Sequence, residues 1–276
     1  MSIIFRIGFC FVRCCSLSWK LPTSEAIRKD SNTTDRNETS PFTQLGGRLA
    51  LVTGGASEIG RSVTKVLARE GVTVFIANRN VTNGEQTIKM LRSIQDCGHM
   101  GMSSDLRNSA DVEPLFKEID IKTAFPGKKL SFVVKSAEIR QKSTSLSLIS
   151  DATFNDIIVN NLRATLLVTR KAVKSMVAQN GSKDAIVNIA STFGRDGVSA
   201  NAASKGAVLA FTESLALELS IKGIRVNAIL PGLTDSPRVC QSPPEVVQNQ
   251  VVNINPTLST SKPEEISEKN VLILSP

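Results

Sequence analysis

Leu49-Ala50-Leu51-Val52-Thr53-Gly54-Gly55-Ala56-Ser57-Glu58-Ile59-Gly60 is the run that decides the fold. Leu49 to Val52 is a short apolar stretch, the length of a strand buried on both faces. Glycines follow at once, and then Arg61 to Glu70, in which Val63, Val66 and Leu67 recur at helical spacing before Gly71 stands as a C-cap. A strand, a glycine loop and a helix in this order form a seat for a pyrophosphate, because the first-turn N–H groups point outward and carry partial positive charge. Gly54 permits the tight turn and Gly60 permits close packing of helix on strand. Glu58 stands where the middle glycine of such a loop belongs.

Outward from this run the chain alternates. Val72 to Ala77 is a second β-rich stretch that ends in Asn78-Arg79-Asn80. In a dinucleotide fold this point meets the adenosine ribose, where an acid selects a free 2′-hydroxyl and an arginine accommodates a 2′-phosphate. Asn78 takes the acid's place and Arg79 follows it, which favours NADP(H) over NAD(H). The alternative is an ordinary solvated arginine. A helix from about Asn83 to Ser93, a strand at His99 to Ser104, a helix around Ala110 to Asp120 and a strand at Leu130 to Val134 continue the series. The order βαβαβαβ implies a parallel, doubly wound α/β sheet of the Rossmann type. His99, the single histidine, reads as a strand-end structural residue.

Beyond that strand, Ser150 caps a helix expected to run from Asp151 to Gln179 and to carry Val159-Asn160-Asn161-Leu162. Ala185 to Ser191 is a fifth strand, and its carboxyl end lies where open α/β sheets place ligands. An apolar-faced helix covers Ala207 to Ser220, Gly223 to Gly232 holds a sixth strand, and a last helix begins near Lys262.

Composition narrows the function classes. With 276 residues, 41% hydrophobic and 21% charged, the chain suits one large globular domain or two small ones. A net charge of +8 is scattered, and aromatic residues make up 4%, which argues against nucleic acid as a partner. Five cysteines and one histidine in no metal-ligand spacing argue against a zinc enzyme or a Ser-His-Asp hydrolase, so no metal site is assigned.

Residues 1 to about 46 read as a leader and linker outside the folded domain, which spans 47 to 276. Up to Ser24 the chain has Arg6, Arg13 and Lys20 with no acid before it, interleaved with apolar residues, the character of a mitochondrial transit peptide. Secretory entry and a cytosolic location are the alternatives. The apolar run Ile7 to Val12 is too short for a membrane span.

Thr53-Gly54-x-x-x-Glu58-x-Gly60 resembles the Thr-Gly-x-x-x-Gly-x-Gly signature of short-chain dehydrogenases/reductases, and the order of later motifs supports the likeness from about Gly47 to Pro276. Within that family, Gly223-Ile224-Arg225-Val226-Asn227-Ala228-Ile229-Leu230-Pro231-Gly232 and Leu166-Leu167-Val168-Thr169-Arg170-Lys171-Ala172 look closest to 3-oxoacyl-acyl-carrier-protein reductases and their animal relative among the estradiol 17-beta-dehydrogenases. The resemblance implies an NAD(P)-dependent oxidoreductase, with NADP as the coenzyme and NAD as the alternative. It implies a small-molecule substrate, either an acyl thioester or a steroid-like ketone. Homo- or hetero-oligomers with a related reductase are also implied.

The resemblance also assigns residues. Gly54, Ser57, Glu58, Ile59 and Gly60 form the nucleotide loop, Asn78 and Arg79 meet the ribose, and Asp105 and Leu106 border the adenine. Ala137 survives from the family's Asn-Asn-Ala-Gly turn, which here reads Lys135-Ser136-Ala137-Glu138. Pro231, Gly232 and Ser236 flank the nicotinamide, and Pro243 to Thr260 is expected as a mobile lid. Ser191 matches the serine that polarises a carbonyl. Lys205, in Ala200-Asn201-Ala202-Ala203-Ser204-Lys205-Gly206, matches the lysine that binds the nicotinamide ribose and lowers the pKa of the tyrosine. Asn161 matches the asparagine that holds a water in the proton relay, the alternative being a helix-interior asparagine bonding its own backbone. The tyrosine's place is taken by Asn201, and the chain contains no tyrosine at all. The implied consequences are impaired turnover, or a noncatalytic subunit that pairs with an active relative. The family's seventh strand is not expected within these residues, and an open sheet edge is expected beside the sixth.

Overall fold

A computed structural model describes residues 45–120, 124–180, 183–191, 198–235 and 260–275, together with the backbone of 3–7 and 10–14. The elements follow from the sequence pattern with small shifts of boundary. Strand β1 (Ile3–Ile7) and β2 (Cys10–Cys14) precede β3 (Leu49–Thr53), α1 (Glu58–Arg69), β4 (Thr73–Asn78), α2 (Val81–Ile94) and β5 (Met100–Ser103). There follow α3 (Ser109–Asp120), β6 (Leu130–Lys135), α4 (Asp151–Ile158), α5 (Ala164–Ala178), β7 (Ala185–Ile189), α6 (Ser199–Ser220), β8 (Arg225–Pro231) and α7 (Pro263–Leu274).

Six strands pair in parallel in the order β8-β7-β6-β3-β4-β5. The order reverses between β3 and β6, and a ligand crevice opens at that switch point, outside the carboxyl ends of the strands. The strands β3, β6, β7 and β8 are buried along their whole length, as their near-continuous apolar sequences demand of a sheet covered on both faces. One core, under α3, α5 and α6, gathers Phe75, Leu115, Leu130, Val168 and Met176. The other, under α1, α2 and α7, gathers Val63, Leu67, Val74, Phe132 and Ile266.

The edge beside β8 is not open, contrary to the expectation of an unpaired edge there. The backbone of β2 pairs antiparallel with β8, from Cys10 opposite Pro231 to Cys14 opposite Asn227, and β1 pairs antiparallel with β2. A strand edge offers a row of unpaired N–H and C=O groups to any extended segment. Composition marked residues 1 to 46 as leader and linker because it registers charge pattern and not pairing partners.

The long helix expected from Asp151 to Gln179 is interrupted. A π-helical turn at Val159–Arg163 separates α4 from α5. Such turns insert one residue into the ladder and are frequent at functional sites. At the far end of the chain, α7 lies on α1, joined by Ser62 Oγ and Ser267 Oγ at 3.0 Å. Its last carbonyls are satisfied by Arg225, whose Nη1 and Nη2 donate to Ile273 O (2.5 Å) and Leu274 O (2.8 Å).

Candidate functional site

The loop after β3 has the strain pattern of a nucleotide cradle. Gly54 sits at φ +64°, and a Cβ there would stand 2.9 Å from the Ala137 backbone. A Cβ at Gly60 would meet Gly54 O at 2.1 Å, so α1 approaches β3 more closely than any side chain allows. Ser57 fastens the turn, donating from both Oγ (2.6 Å) and N (2.9 Å) to Gly54 O. Ile59, in the first turn of α1, is buried. Glu58 is the first residue of α1, a half-buried carboxylate at the positive end of the helix.

Asn78 ends β4, with its side chain donating to Asn80 O at 2.7 Å, while Asn80 caps α2 by accepting from Asn83 N at 2.9 Å. Arg79 lies exposed between them. Beyond β5, Asp105 is gripped by Arg107, whose Nε donates to Oδ1 and Oδ2 at 2.9 Å and whose Nη2 donates to Oδ2 at 2.6 Å. These bonds hold the Asp105 carboxyl below the usual range. A cavity of about 310 Å³ opens here, with Gly54, Asn78, Arg79, Asp105, Leu106 and Ala137 among the residues on its walls. These walls bring together seven of the assigned residues, Gly54, Ser57, Asn78, Arg79, Asp105, Leu106 and Ala137, while Glu58, Ile59 and Gly60 are not among them.

The π turn aims Asn161 inward. Its Oδ1 accepts from Ile139 N at 2.9 Å, and its Nδ2 donates to Ile139 O at 3.1 Å and to Ser204 Oγ at 3.0 Å, with Asn201 Oδ1 at 3.4 Å. Asn160, not Asn161, is the asparagine that bonds back to its own helix, at Asp156 O. Lys205 is buried (6% exposed) and donates to Ile189 O at 2.9 Å, two residues before Ser191. Ser191 lies half-exposed just past the end of β7, where the strand stops at Ile189 and not at Ser191. Asn201 and Lys205 share the first turns of α6, whose start is fixed by Gln141 Oε1 accepting from Ala200 N (3.0 Å) and Asn201 N (3.2 Å). Pro231 ends β8 at the same carboxyl edge, with Gly232 next. Ser236, and the lid up to residue 259, lie outside the described residues.

Three side chains not assigned from the sequence dominate the electrostatics. The Glu138 carboxylate forms an ion pair with Lys205 and accepts from Arg140 Nε at 2.8 Å. Burial alone would raise the Glu138 carboxyl, but Lys205 and Arg140 together outweigh it and hold it below its ordinary value. Lys135, 4% exposed, donates to Thr53 Oγ1 at 3.1 Å. Burial, with the charge of Lys205 behind it, pushes its ammonium down to about 7. Glu138 was visible in the sequence as a departure from glycine. A carboxylate in that turn and a lysine at 205 could have been paired in advance.

An NAD(P) dinucleotide is the group this fold implies, and among the described residues its adenosine half finds a cavity. The cradle, the cavity and Arg79 suit an adenosine and its phosphates. At the other end Lys205 is already held by Glu138 and a backbone carbonyl.

Residues 48–245 match the family model described as short chain dehydrogenase. The chain is 31% identical over 234 residues to human (3R)-3-hydroxyacyl-CoA dehydrogenase, covering 82% of this chain and 87% of that one. It is 35% identical over 193 residues to the 3beta-hydroxysteroid dehydrogenase of Mediterraneibacter gnavus, covering 69% and 67% respectively. The crystal structure of a dehydrogenase/reductase from Sinorhizobium meliloti 1021 superposes with a TM-score of 0.76 at 27% identity, covering 86% of this chain and 92% of that one. The parallel six-stranded sheet, the glycine cradle at its switch point and these matches agree: the chain belongs to the short-chain dehydrogenase family, a family of NAD(P)-dependent oxidoreductases.

Proposed function

We propose that the protein is an oxidoreductase of reduced catalytic power, its coenzyme NADP(H) and its substrate a 3-oxoacyl thioester or a steroid-like ketone. One constellation carries the reading. Asn161, Ser204 and Lys205 join the segment before Ser191 at the carboxyl edge of the sheet, while position 201 supplies an amide and no phenol. An amide has no acid function in the working range, and loss of a general acid typically costs ~10²–10⁴-fold in rate. The substrate class is supported by likeness to relatives named for 3-hydroxyacyl-CoA and for a 3β-hydroxysteroid. Arg79 beside Asn78 on the cavity wall supports NADP(H). The basic, acid-poor leader supports a mitochondrial address, which import of the full chain into isolated mitochondria tests.

The test is coenzyme oxidation by the purified chain with NADPH or NADH and an acetoacetyl thioester. Slow turnover is expected, rising at least tenfold in the double variant Asn201→Tyr/Glu138→Gly. Absence of turnover in both proteins with both coenzymes sinks the enzymatic reading.

A second reading is favoured by the outer faces of α5 and α6. Leu166, Val177 and Leu217 are large apolar side chains 41%, 41% and 62% exposed. Such faces suit pairing with another copy or with an active relative, as a noncatalytic subunit. Co-expression with an active short-chain dehydrogenase and sizing of the purified mixture distinguishes a mixed oligomer from separate proteins.

A further inference from the structure

The segment from Glu138 to Gln141 is a strap fastened across the mouth of the site. Asn161 holds both backbone groups of Ile139, at 2.9 and 3.1 Å. Gln141 holds the first N–H groups of α6, at 3.0 and 3.2 Å. Just before the first anchor the Glu138 side chain, 21% exposed, has both carboxylate oxygens engaged, Oε1 by Arg140 and Oε2 by Lys205. Arg140 also feels the charge of Glu58, so the two acids that replace glycines act on one guanidinium. Glu138 is therefore aimed by a fixed backbone and clamped on two sides.

The 310 Å³ cavity reaches this clamp. Glu138 is on its wall, and Ser191, Asn201 and Lys205 are not. Its volume is at the lower end of small-molecule clefts, ~300–1,000 Å³. That is room for one nucleoside with its phosphates. The walls suit such a ligand: Ala77, Leu106 and Ala164 offer an apolar slot, Arg79 an exposed cation, and Ser57 the start of a helix.

We propose that the Glu138–Lys205 ion pair closes the far half of the groove, so that the protein takes up an adenosine phosphate and gains nothing from the second nucleotide of a dinucleotide. The proposal rests on the reading of this groove as a nucleotide site. Glu138 is then the residue that sets ligand length. Its carboxylate both takes one donor of Lys205 and puts a negative charge in the path of a second phosphate-linked unit.

Calorimetric titration of the purified full chain with adenosine 2′,5′-bisphosphate and with NADP⁺ tests this directly. The wild type is expected to bind the two within threefold of one another. Glu138→Gln, which keeps an acceptor for Arg140, is expected to bind NADP⁺ at least tenfold more tightly with the bisphosphate unchanged, and Glu138→Gly to do the same. Thermal melts confirm that each variant is folded. Wild-type binding of NADP⁺ tenfold or more above the bisphosphate overturns the proposal without any variant, since the groove is then already open. Equal changes for both probes in folded variants overturn it as well. Failure of every protein to bind either probe overturns the nucleotide reading itself, along with the proposal built on it.

Discussion

Lys135 is the buried charge whose removal should tell most about this fold. It is 4% exposed, and the one hydrogen bond its ammonium makes among the described residues is to Thr53 Oγ1. Burial and the nearby positive charge of Lys205 bring its titration from the ordinary 10.5 to about 7. At ~1.4 kcal/mol for each pH unit, that displacement corresponds to ~5 kcal/mol at most, and relaxation and water entry reduce it. The sign is definite. The folded pKa lies below the unfolded one, so between about 7 and 10.5 the unfolded chain holds more protons and stability rises with pH. Lys135→Met removes that slope and gives up one hydrogen bond worth ~1 kcal/mol. A net stabilisation of ~1–3 kcal/mol near pH 7 follows, which for a chain of this size raises Tm by several degrees, at roughly 2–4 °C per kcal/mol. The assay is the pair of thermal or urea unfolding curves between pH 7 and 10. Wild type should gain stability across the window and, near its alkaline end, pass a flatter variant by the ~1 kcal/mol of the retained hydrogen bond. A variant less stable than wild type at pH 7, with parallel pH curves, would show that Lys135 is charged and well satisfied where it lies.

Other outcomes are open to simpler measurement. Gly60→Ala places a methyl 2.1 Å from Gly54 O, a backbone atom that cannot step aside. It should cost at least ~3 kcal/mol, seen as loss of soluble folded protein, and a near-neutral melt would refute the close helix–strand approach. Arg225→Met leaves the carbonyls of Ile273 and Leu274 without their donors. About 1–3 kcal/mol for each buried group is expected, with faster hydrogen exchange confined first to α7. Asp184, buried at the amino-terminal side of β7, has its carboxyl raised by burial to about 6. Native protein then holds the extra proton, so stability falls as pH rises from about 4 through 6. Asp184→Asn should abolish that fall and be the more stable protein at pH 7, and equal slopes in the two proteins would contradict it.

The alternation of apolar runs with helical spacing carried the sheet, its parallel sense and the glycine cradle, because these depend on period and on residues whose backbone freedom is local. His99 is an example of a role legible in advance. It is buried, with Nδ1 accepting from Val74 N at 3.1 Å and Nε2 bonded to Gln95 O at 2.7 Å, and burial lowers its pKa. The interruption at Val159–Arg163 was not legible, since a π turn leaves the apolar pattern of α4 and α5 almost unchanged while redirecting Asn161.

Sequence alone established which chemical groups are present: a serine, a lysine and two asparagines at family positions, no tyrosine, and acids where glycines belong. Whether those groups are free to act was decided in three dimensions. Glu138 and Lys205 are 67 residues apart in the chain, as their numbers give, and only the crossover that sets α6 beside the end of β6 turns them into an ion pair. The physical reason is that a charge is defined by its residue, but its pKa and its availability are defined by the neighbours and the water that folding grants or removes.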